Sequence, residues 1–201
     1  MRKTVACVPL VALFFLNVSY EQVERVQEAS AGQPVNDIRQ VDFKNFTYTR
    51  LGPNGESKVI HLRDGRQTST EGAETTLMRI TYGDLTNDRS EDAVVLLRGQ
   101  NTRISRTLDE IFIYTLRDGK IAALDHFEAG RRGDYVLSVS SLESNFKIQD
   151  GLLILDQAIL RAGEGAPTQY YTIKYRWNGI QMIEVDRSAL KPLPHHMMEV
   201  G

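Results

Sequence analysis

Cysteine is nearly absent from this chain of 201 residues, since Cys7 is the only one. It precedes most of the apolar run at residues 5–16, which is the wrong side of that run for a lipid-modified cysteine. Beyond this N-terminal segment there is no thiol. Disulfides, cysteine nucleophiles and cysteine-based zinc sites are therefore excluded for the rest of the chain.

The sequence also lacks an apolar run long enough to span a bilayer. The run at residues 5–16 has twelve residues, whereas a spanning helix needs about 20. Because Arg2 and Lys3 precede it, the segment is typical of an export signal. Ala29-Ser30-Ala31 offers a cleavage site; cleavage near Ser19 and an uncleaved N-terminal anchor are the alternatives.

These features predict three segments. We expect a signal peptide at residues 1–31, one domain at 32–189 and a flexible tail at 190–201. Export without disulfides suits a bacterial periplasm or the extracellular space of a bacterium. No stable membrane insertion is expected after processing.

Clustered positive charge is missing as well. The chain has 24 Lys and Arg against 26 Asp and Glu, for a net charge of −2. Residues 1–31 contain equal numbers of basic and acidic residues, so their removal leaves the net charge at −2. Nucleic acids and anionic membranes are bound chiefly through clustered Lys and Arg. Neither is expected as a partner.

Familiar catalytic motifs are absent, including G-x-S-x-G, H-E-x-x-H and a Gly-rich phosphate loop. We therefore expect a non-enzymatic domain that binds a macromolecule or a cell-envelope surface. The alternative is a hydrolase acting on an envelope polysaccharide or glycan, with a site assembled from carboxylates such as Asp109, Glu110 and Glu128.

Asp-Gly and Asn-Gly pairs between β-rich runs include Asp64-Gly65, Asp118-Gly119, Asp150-Gly151 and Asn178-Gly179. Both residues of such a pair tolerate the positive φ angles of a tight hairpin turn. Two residues cannot connect parallel strands. The pairs therefore predict antiparallel neighbours.

Strand patterns surround these turns. Residues 93–97 and 111–116 are apolar on both faces, which predicts central strands covered by a second layer. Residues 170–177 alternate and place Tyr171, Tyr175 and Trp177 in a core layer rather than on a sugar-stacking face. Further strands are predicted at 43–49, 76–82 and 135–140, and loops at 67–74, 99–107 and 129–134.

The predicted fold is thus all-β, an antiparallel, hairpin-rich sandwich or barrel of about ten short strands. A partial propeller-like meander is the alternative.

Residues 83–92 carry oxygen-bearing side chains at every second position between two predicted strands. Such spacing points alternate donors toward a hard cation, here Asp84, Thr86, Asp88 and Asp92, with the Ser90 carbonyl between them. The pattern predicts a structural Ca²⁺ site. A metal-free turn, in which these side chains bond their own backbone, is the alternative.

This loop resembles the D-x-D-x-D-G-x-x-D calcium loop of FG-GAP or VCBS-type repeats. Asp84, Asp88 and Asp92 match the first, third and last aspartates, Thr86 replaces the second, and Arg89 stands at the Gly. The resemblance implies a calcium loop between β-strands. Residues 43–185 also resemble single-copy exported bacterial proteins of unknown function through TYGDLTND…EDAVV, IFIYTLRDGKI and YRWNG, which implies a compartment and a fold type.

Other patterns have a structural interpretation that we favour. His126 and Glu128 lie on one strand face, which we expect to be solvated rather than catalytic, and the His195-His196-Met197-Met198 tail is expected to be a free terminus rather than a metal site. Arg98, Arg103 and Arg106 are expected to form a basic loop rather than an anion site. Arg132-Gly133-Asp134 is expected to form an ordinary turn.

Overall fold

The computed structural model describes residues 35–51, 57–68, 73–101, 106–129, 138–160 and 167–193. In these segments the chain forms twelve β-strands, two 3-10 turns and no α-helix. The predicted all-β class is confirmed. No helix in this part of the chain is long and apolar enough to cross a membrane. The predicted signal peptide, residues 132–134 and the His195 to Met198 tail lie outside the described residues.

Two 3-10 turns, at Ile38–Gln40 and Phe43–Asn45, precede the strands. The strands are β1 (Thr47–Leu51), β2 (Ser57–His61), β3 (Arg66–Thr68), β4 (Ala73–Gly83), β5 (Asp92–Asn101), β6 (Arg106–Arg117), β7 (Lys120–Glu128), β8 (Ser138–Gln149), β9 (Leu152–Leu160), β10 (Gln169–Trp177), β11 (Met182–Arg187) and β12 (Lys191–Pro192).

The strands form three antiparallel sheets. β1 and β2 form a hairpin layer; the first sheet has the order β3-β4-β5-β6-β7; and the second sheet has the order β11-β10-β9-β8, with β12 beside β10. None of the three closes into a barrel. Of the predicted sandwich and barrel, the structure therefore has the layered architecture of a sandwich.

Three of the four predicted turns have left-handed backbone at both residues, namely Asp64-Gly65, Asp118-Gly119 and Asp150-Gly151. The φ angles are 53° and 74° at Asp118-Gly119, which joins β6 to β7, and 53° and 69° at Asp150-Gly151, which joins β8 to β9. Gly179 has φ 96° in a longer connection between β10 and β11, closed by a 3.2 Å hydrogen bond from Asn178 N–H to the Gln181 carbonyl. These hairpins confirm the predicted antiparallel pairing.

The fourth turn, Asp64-Gly65, does not join neighbouring strands of one sheet. It makes a single bridge between Arg63 and Arg66. The chain then leaves the hairpin layer, where β2 pairs with β1, and enters the edge of the first sheet, where β3 pairs with β4. The predicted antiparallel pairing across this turn is therefore limited to the Arg63 and Arg66 bridge. The geometry of a turn determines how its flanking residues pair, but not which sheet the next strand joins.

Several predicted boundaries were wrong. Phe43–Asn45 is a 3-10 turn rather than a strand, because the Asp42 carboxylate accepts hydrogen bonds from the Lys44 and Asn45 amides. The predicted loops at 67–74 and 99–107 are partly strand, since β3, β4, β5 and β6 extend into them. Residues 138–140 of the strand predicted at 135–140 belong to the longer β8, whose pairing with β9 is interrupted by an irregularity between Leu142 and Lys147; residues 135–137 lie outside the described residues.

The predicted tail begins inside the domain. Lys191–Pro192 pairs with β10, and Leu193 is buried and donates its N–H to the Thr168 carbonyl at 2.8 Å. Residues 194–201 lie outside the described residues.

Two apolar cores flank the first sheet. Residues that alternate along β6 divide between them: Ile111 and Ile113 pack toward the second sheet, whereas Phe112 and Tyr114 pack toward the hairpin layer. β5 divides in the same way. The prediction that β5 and β6 are central and covered is confirmed. Tyr171 and Tyr175 are buried between the sheets and Trp177 packs against them, as predicted for a core layer.

Candidate functional site

The predicted calcium loop joins β4 to β5. The Asp84 carboxylate accepts hydrogen bonds from the N–H groups of Asp88 at 3.2 Å and Arg89 at 2.9 Å. Asp88 Oδ1 accepts from the Ser90 N–H at 2.7 Å. The first and third aspartates of the pattern therefore stabilise the loop backbone, as the metal-free alternative expects.

Asp92 closes the same loop from within the core. Its Oδ2 accepts from the N–H groups of Leu85 at 2.8 Å and Thr86 at 3.1 Å, and from the Thr86 hydroxyl at 3.3 Å. Burial raises the pKa of Asp92, although the nearby Thr115 hydroxyl and the two amides oppose that rise. Asp92 Oδ1 is buried and, among the described residues, makes no hydrogen bond of ordinary geometry.

The five predicted ligands come together in two groups rather than as one set. Asp92 meets Thr86, whereas Asp84, Asp88 and Ser90 are linked through the amides of Asp88 and Ser90. The described part of the chain contains no group of three or more His, Cys, Asp or Glu side chains placed to hold a metal ion. The calcium site stays a prediction.

Arg89, at the Gly position of the resembled motif, adopts the conformation that Gly would allow. Its φ is 71°, and Asn87 nearby has φ 60°. Left-handed backbone costs a residue with a side chain about 1 kcal/mol. Among the described residues Arg89 has no ion pair with the loop aspartates. The loop is instead tied to the first 3-10 turn, because Arg39 donates to both carboxylate oxygens of Glu91.

A second group of charges lies between the hairpin layer and the first sheet. Glu110, whose side chain is fully buried, accepts hydrogen bonds from Arg50 of β1 and contacts His126 Nε2 of β7 at 3.1 Å. The His126 ring stacks on Phe112, with centroids 4.4 Å apart. We call Arg50, Glu110 and His126 the Glu110 cluster. Burial raises the pKa of Glu110, but the hydrogen bonds from His126 and Arg50 outweigh it, and the net pKa is lowered.

Of the carboxylates named for the hydrolase alternative, Glu110 and Glu128 share a face and Asp109 does not. Asp109 and Glu110 are consecutive in β6 and point to opposite faces. Asp109 is fully buried and held by Arg98 at 2.8 and 2.9 Å. Glu128 pairs with Glu110 across β6 and β7 and so shares its face.

The solvated-face interpretation of His126 was wrong. Its side chain is only 15% exposed, because the hairpin layer covers this end of the first sheet. Of the three arginines read as a basic loop, Arg98 is bound to Asp109; Arg103 and the Arg106 side chain lie outside the described residues.

The outer face of the second sheet is a third candidate. Two rows of directly paired residues cross β8, β9, β10 and β11, and we call these eight residues the outer face: Gln149, Leu152, Arg176 and Ile183, then Lys147, Ile154, Lys174 and Asp186. Their strand neighbours Leu153, Leu155, Ile173 and Tyr175 point into the inter-sheet core, so these residues point outward.

The outer face combines charge with apolar surface. Lys147 and Arg176 are exposed, whereas Leu152, Ile154 and Ile183 are half-buried. Lys174 Nζ lies 2.8 Å from Asp186 Oδ2. Within the described residues Lys147 and Arg176 have no ion-pair partner. Alternation along 170–177 signals an exposed face on β10, but only strand register places Lys147 on the same face, across β9.

No family model, curated protein or solved structure matches this chain significantly. The resemblance to FG-GAP or VCBS-type loops therefore stays a prediction.

Proposed function

We propose that this chain is an exported, non-enzymatic β-domain that binds a macromolecule or a component of the bacterial cell envelope through the outer face of its second sheet. One observation carries the proposal. The outer face leaves aliphatic side chains of β9 and β11 partly exposed beside exposed cations, whereas the central strands of the first sheet are buried on both faces. Apolar surface rimmed by polar groups is typical of interaction sites.

The state of the buried carboxylates supports binding over hydrolysis. A general acid needs a raised pKa so that it carries a proton near neutral pH. The pKa of Glu110 is lowered by His126 and Arg50, and Asp109 is held by Arg98. Glu110 is suited to joining the hairpin layer to the first sheet, and Asp109 to joining β5 and β6 within that sheet.

We also propose a structural Ca²⁺ in the loop of Asp84, Thr86, Asp88, Ser90 and Asp92. The supporting observation is Asp92 Oδ1, a buried oxygen that makes no hydrogen bond of ordinary geometry among the described residues, although the Thr115 hydroxyl is nearby. Oxygens that already accept an amide N–H keep a second lone pair. Calcium binding would require Asp84 and Asp88 to turn toward Asp92, which makes the proposal testable by mutation.

Capture from a bacterial envelope extract tests the binding proposal. The face variant Lys147→Glu with Arg176→Glu is compared with a control variant, Lys58→Glu with Lys120→Glu, which changes two exposed lysines elsewhere by the same charge. The proposal expects a partner that the parent and the control retain and the face variant loses. Equal recovery by all three proteins contradicts it.

A further inference from the structure

The outer face has an apolar stripe with basic sides. β9 contributes Leu152 and Ile154, while β8 contributes Lys147 on one side and β10 contributes Lys174 and Arg176 on the other. Neighbouring strands lie about 4.8 Å apart. Ile154 therefore has a lysine directly beside it on both sides, and Leu152 has Arg176 beside it.

The stripe is less exposed than two of the cations beside it. Leu152 and Ile154 are half-buried, whereas Lys147 and Arg176 are exposed. Long basic side chains keep their charge in water while their stems cover apolar surface. The face thus presents an aliphatic floor flanked by cations. It is basic although the whole chain carries a net charge of −2.

This shape discriminates among classes of partner. A bilayer is entered by exposed apolar side chains, and here Leu152, Ile154 and Ile183 are less exposed than Lys147 and Arg176. A glycan favours exposed aromatic platforms for stacking. The eight residues of the outer face include no aromatic side chain, and the ring of Tyr170, farther along the same face of β10, has Lys191 over it. An extended polypeptide projects alternate side chains to opposite sides, so it can place aliphatic groups on the floor while neighbouring carboxylates reach Lys or Arg.

We infer that the outer face binds an acidic polypeptide segment that carries aliphatic side chains. The inference rests on the proposed binding function of this face and names the chemistry of its partner. Lys147 and Arg176 are the contacts for its carboxylates, and Leu152, Ile154 and Ile183 form its apolar floor.

Labelled synthetic peptides and vesicles test the inference on the purified chain. The probes are a peptide with alternating Glu and Leu, one with alternating Lys and Leu, one with alternating Glu and Ser, and phosphatidylglycerol vesicles. We expect measurable binding of the Glu and Leu peptide alone, by fluorescence anisotropy for the peptides and co-sedimentation for the vesicles. Its affinity should fall as salt screens the charges.

Two charge-reversal variants locate the site. Lys147→Glu with Arg176→Glu should lower the affinity for the Glu and Leu peptide by about tenfold or more, because two attractive charges become repulsive. Lys58→Glu with Lys120→Glu should change it by less than about twofold. Far-ultraviolet dichroism confirms that both variants are folded. A third variant, Ile154→Ser, should lower the affinity for the Glu and Leu peptide without changing how that affinity depends on salt concentration.

Failure to bind the Glu and Leu peptide, equal binding by both charge-reversal variants, or preference for the vesicles would overturn the inference. The proposed function fails separately. If an envelope partner is still lost on Lys147→Glu with Arg176→Glu while the peptide does not bind, the face is a binding site for a partner of another chemistry.

Discussion

At the scale of single residues, the molecule holds two buried carboxylates in ion pairs. Glu110 of the first sheet holds Arg50 of the hairpin layer, sixty positions away in the chain, whereas Asp109 holds Arg98 of the neighbouring strand in the same sheet. Removing one partner of a buried pair leaves an uncompensated charge, and the stability lost exceeds what the intact pair contributes. Glu110 and Arg50 therefore report on the packing of the hairpin layer against the first sheet.

Glu110→Gln should destabilise the fold by about 3 kcal/mol at neutral pH, because Arg50 and His126 lose their anion. The folded pKa of Glu110 lies below its usual value of 4.5. Its contribution is therefore present above pH 4.5 and is lost as pH falls through the lower folded value. Urea unfolding across this range measures both effects.

Glu91→Gln is the control for that experiment, since the Arg39 and Glu91 side chains are half exposed. A surface pair contributes little to stability. Equal losses for the two substitutions, or a Glu110 effect that persists at acidic pH, would show that the Glu110 cluster does not act as a buried ion pair.

Arg89→Gly should stabilise the protein slightly, by up to about 1 kcal/mol, because Gly adopts a φ of 71° without the cost of a side chain. Ser90→Gly is the matched change at a neighbour without positive φ, and it should destabilise by about 0.5 kcal/mol. The measurement is the midpoint of thermal unfolding of the two variants and the parent. A lower midpoint for Arg89→Gly than for the parent would argue against the left-handed loop.

At the scale of elements, local chemistry is readable from sequence and partner choice is not. Asp118-Gly119 predicts its hairpin because both residues favour the required φ angles. Phe43 was placed in a strand because its neighbours are β-prone, but the Asp42 carboxylate bonds the next amides first. The loop at residues 83–92 joins two strands, as its position in the sequence predicts, whereas its hydrogen bonds depend on Asp92 reaching back to Leu85.

Gly83→Ala tests the contact between the two sheets. An added Cβ would lie 2.7 Å from Ile148 Cγ2 and 2.9 Å from Ile148 Cβ, and overpacking of this kind costs about 1 to 3 kcal/mol. Gly99→Ala is the matched control, because its nearest contact would be the Leu108 carbonyl at 3.6 Å. If denaturant unfolding gives equal stabilities for the two variants, the sheets do not pack as described.

Calcium addition tests the loop between β4 and β5. With a dissociation constant of about 1 mM, typical of extracellular modules, about 10 mM Ca²⁺ should stabilise the fold by about 1.4 kcal/mol. The midpoint of thermal unfolding should then rise by about 3 to 6 °C. Mg²⁺ should do less, since it demands tighter octahedral geometry. Asp88→Ala should remove the response, and a parent that does not respond would identify a metal-free turn.

At the scale of the whole molecule, the described residues form three layers, and the second sheet is one of the two outer layers. Periodicity predicted that β5 and β6 are covered, because both of their faces are apolar. Periodicity did not predict that the hairpin layer covers one of these faces, because β1 and β6 are far apart in the sequence and come together only in the folded chain. The outer face depends on the same kind of information, because Lys147, Ile154 and Lys174 become neighbours only through the pairing of three strands.

Lysine footprinting in a bacterial envelope extract tests the proposed binding face most directly. The chain is acetylated with and without the extract, and modification of each lysine is measured by mass spectrometry. The outer face predicts protection of Lys147 and Lys174, with Lys58 and Lys120 modified as before. Protection of Lys58 and Lys120, with Lys147 and Lys174 still modified, would place the binding surface elsewhere and contradict the account.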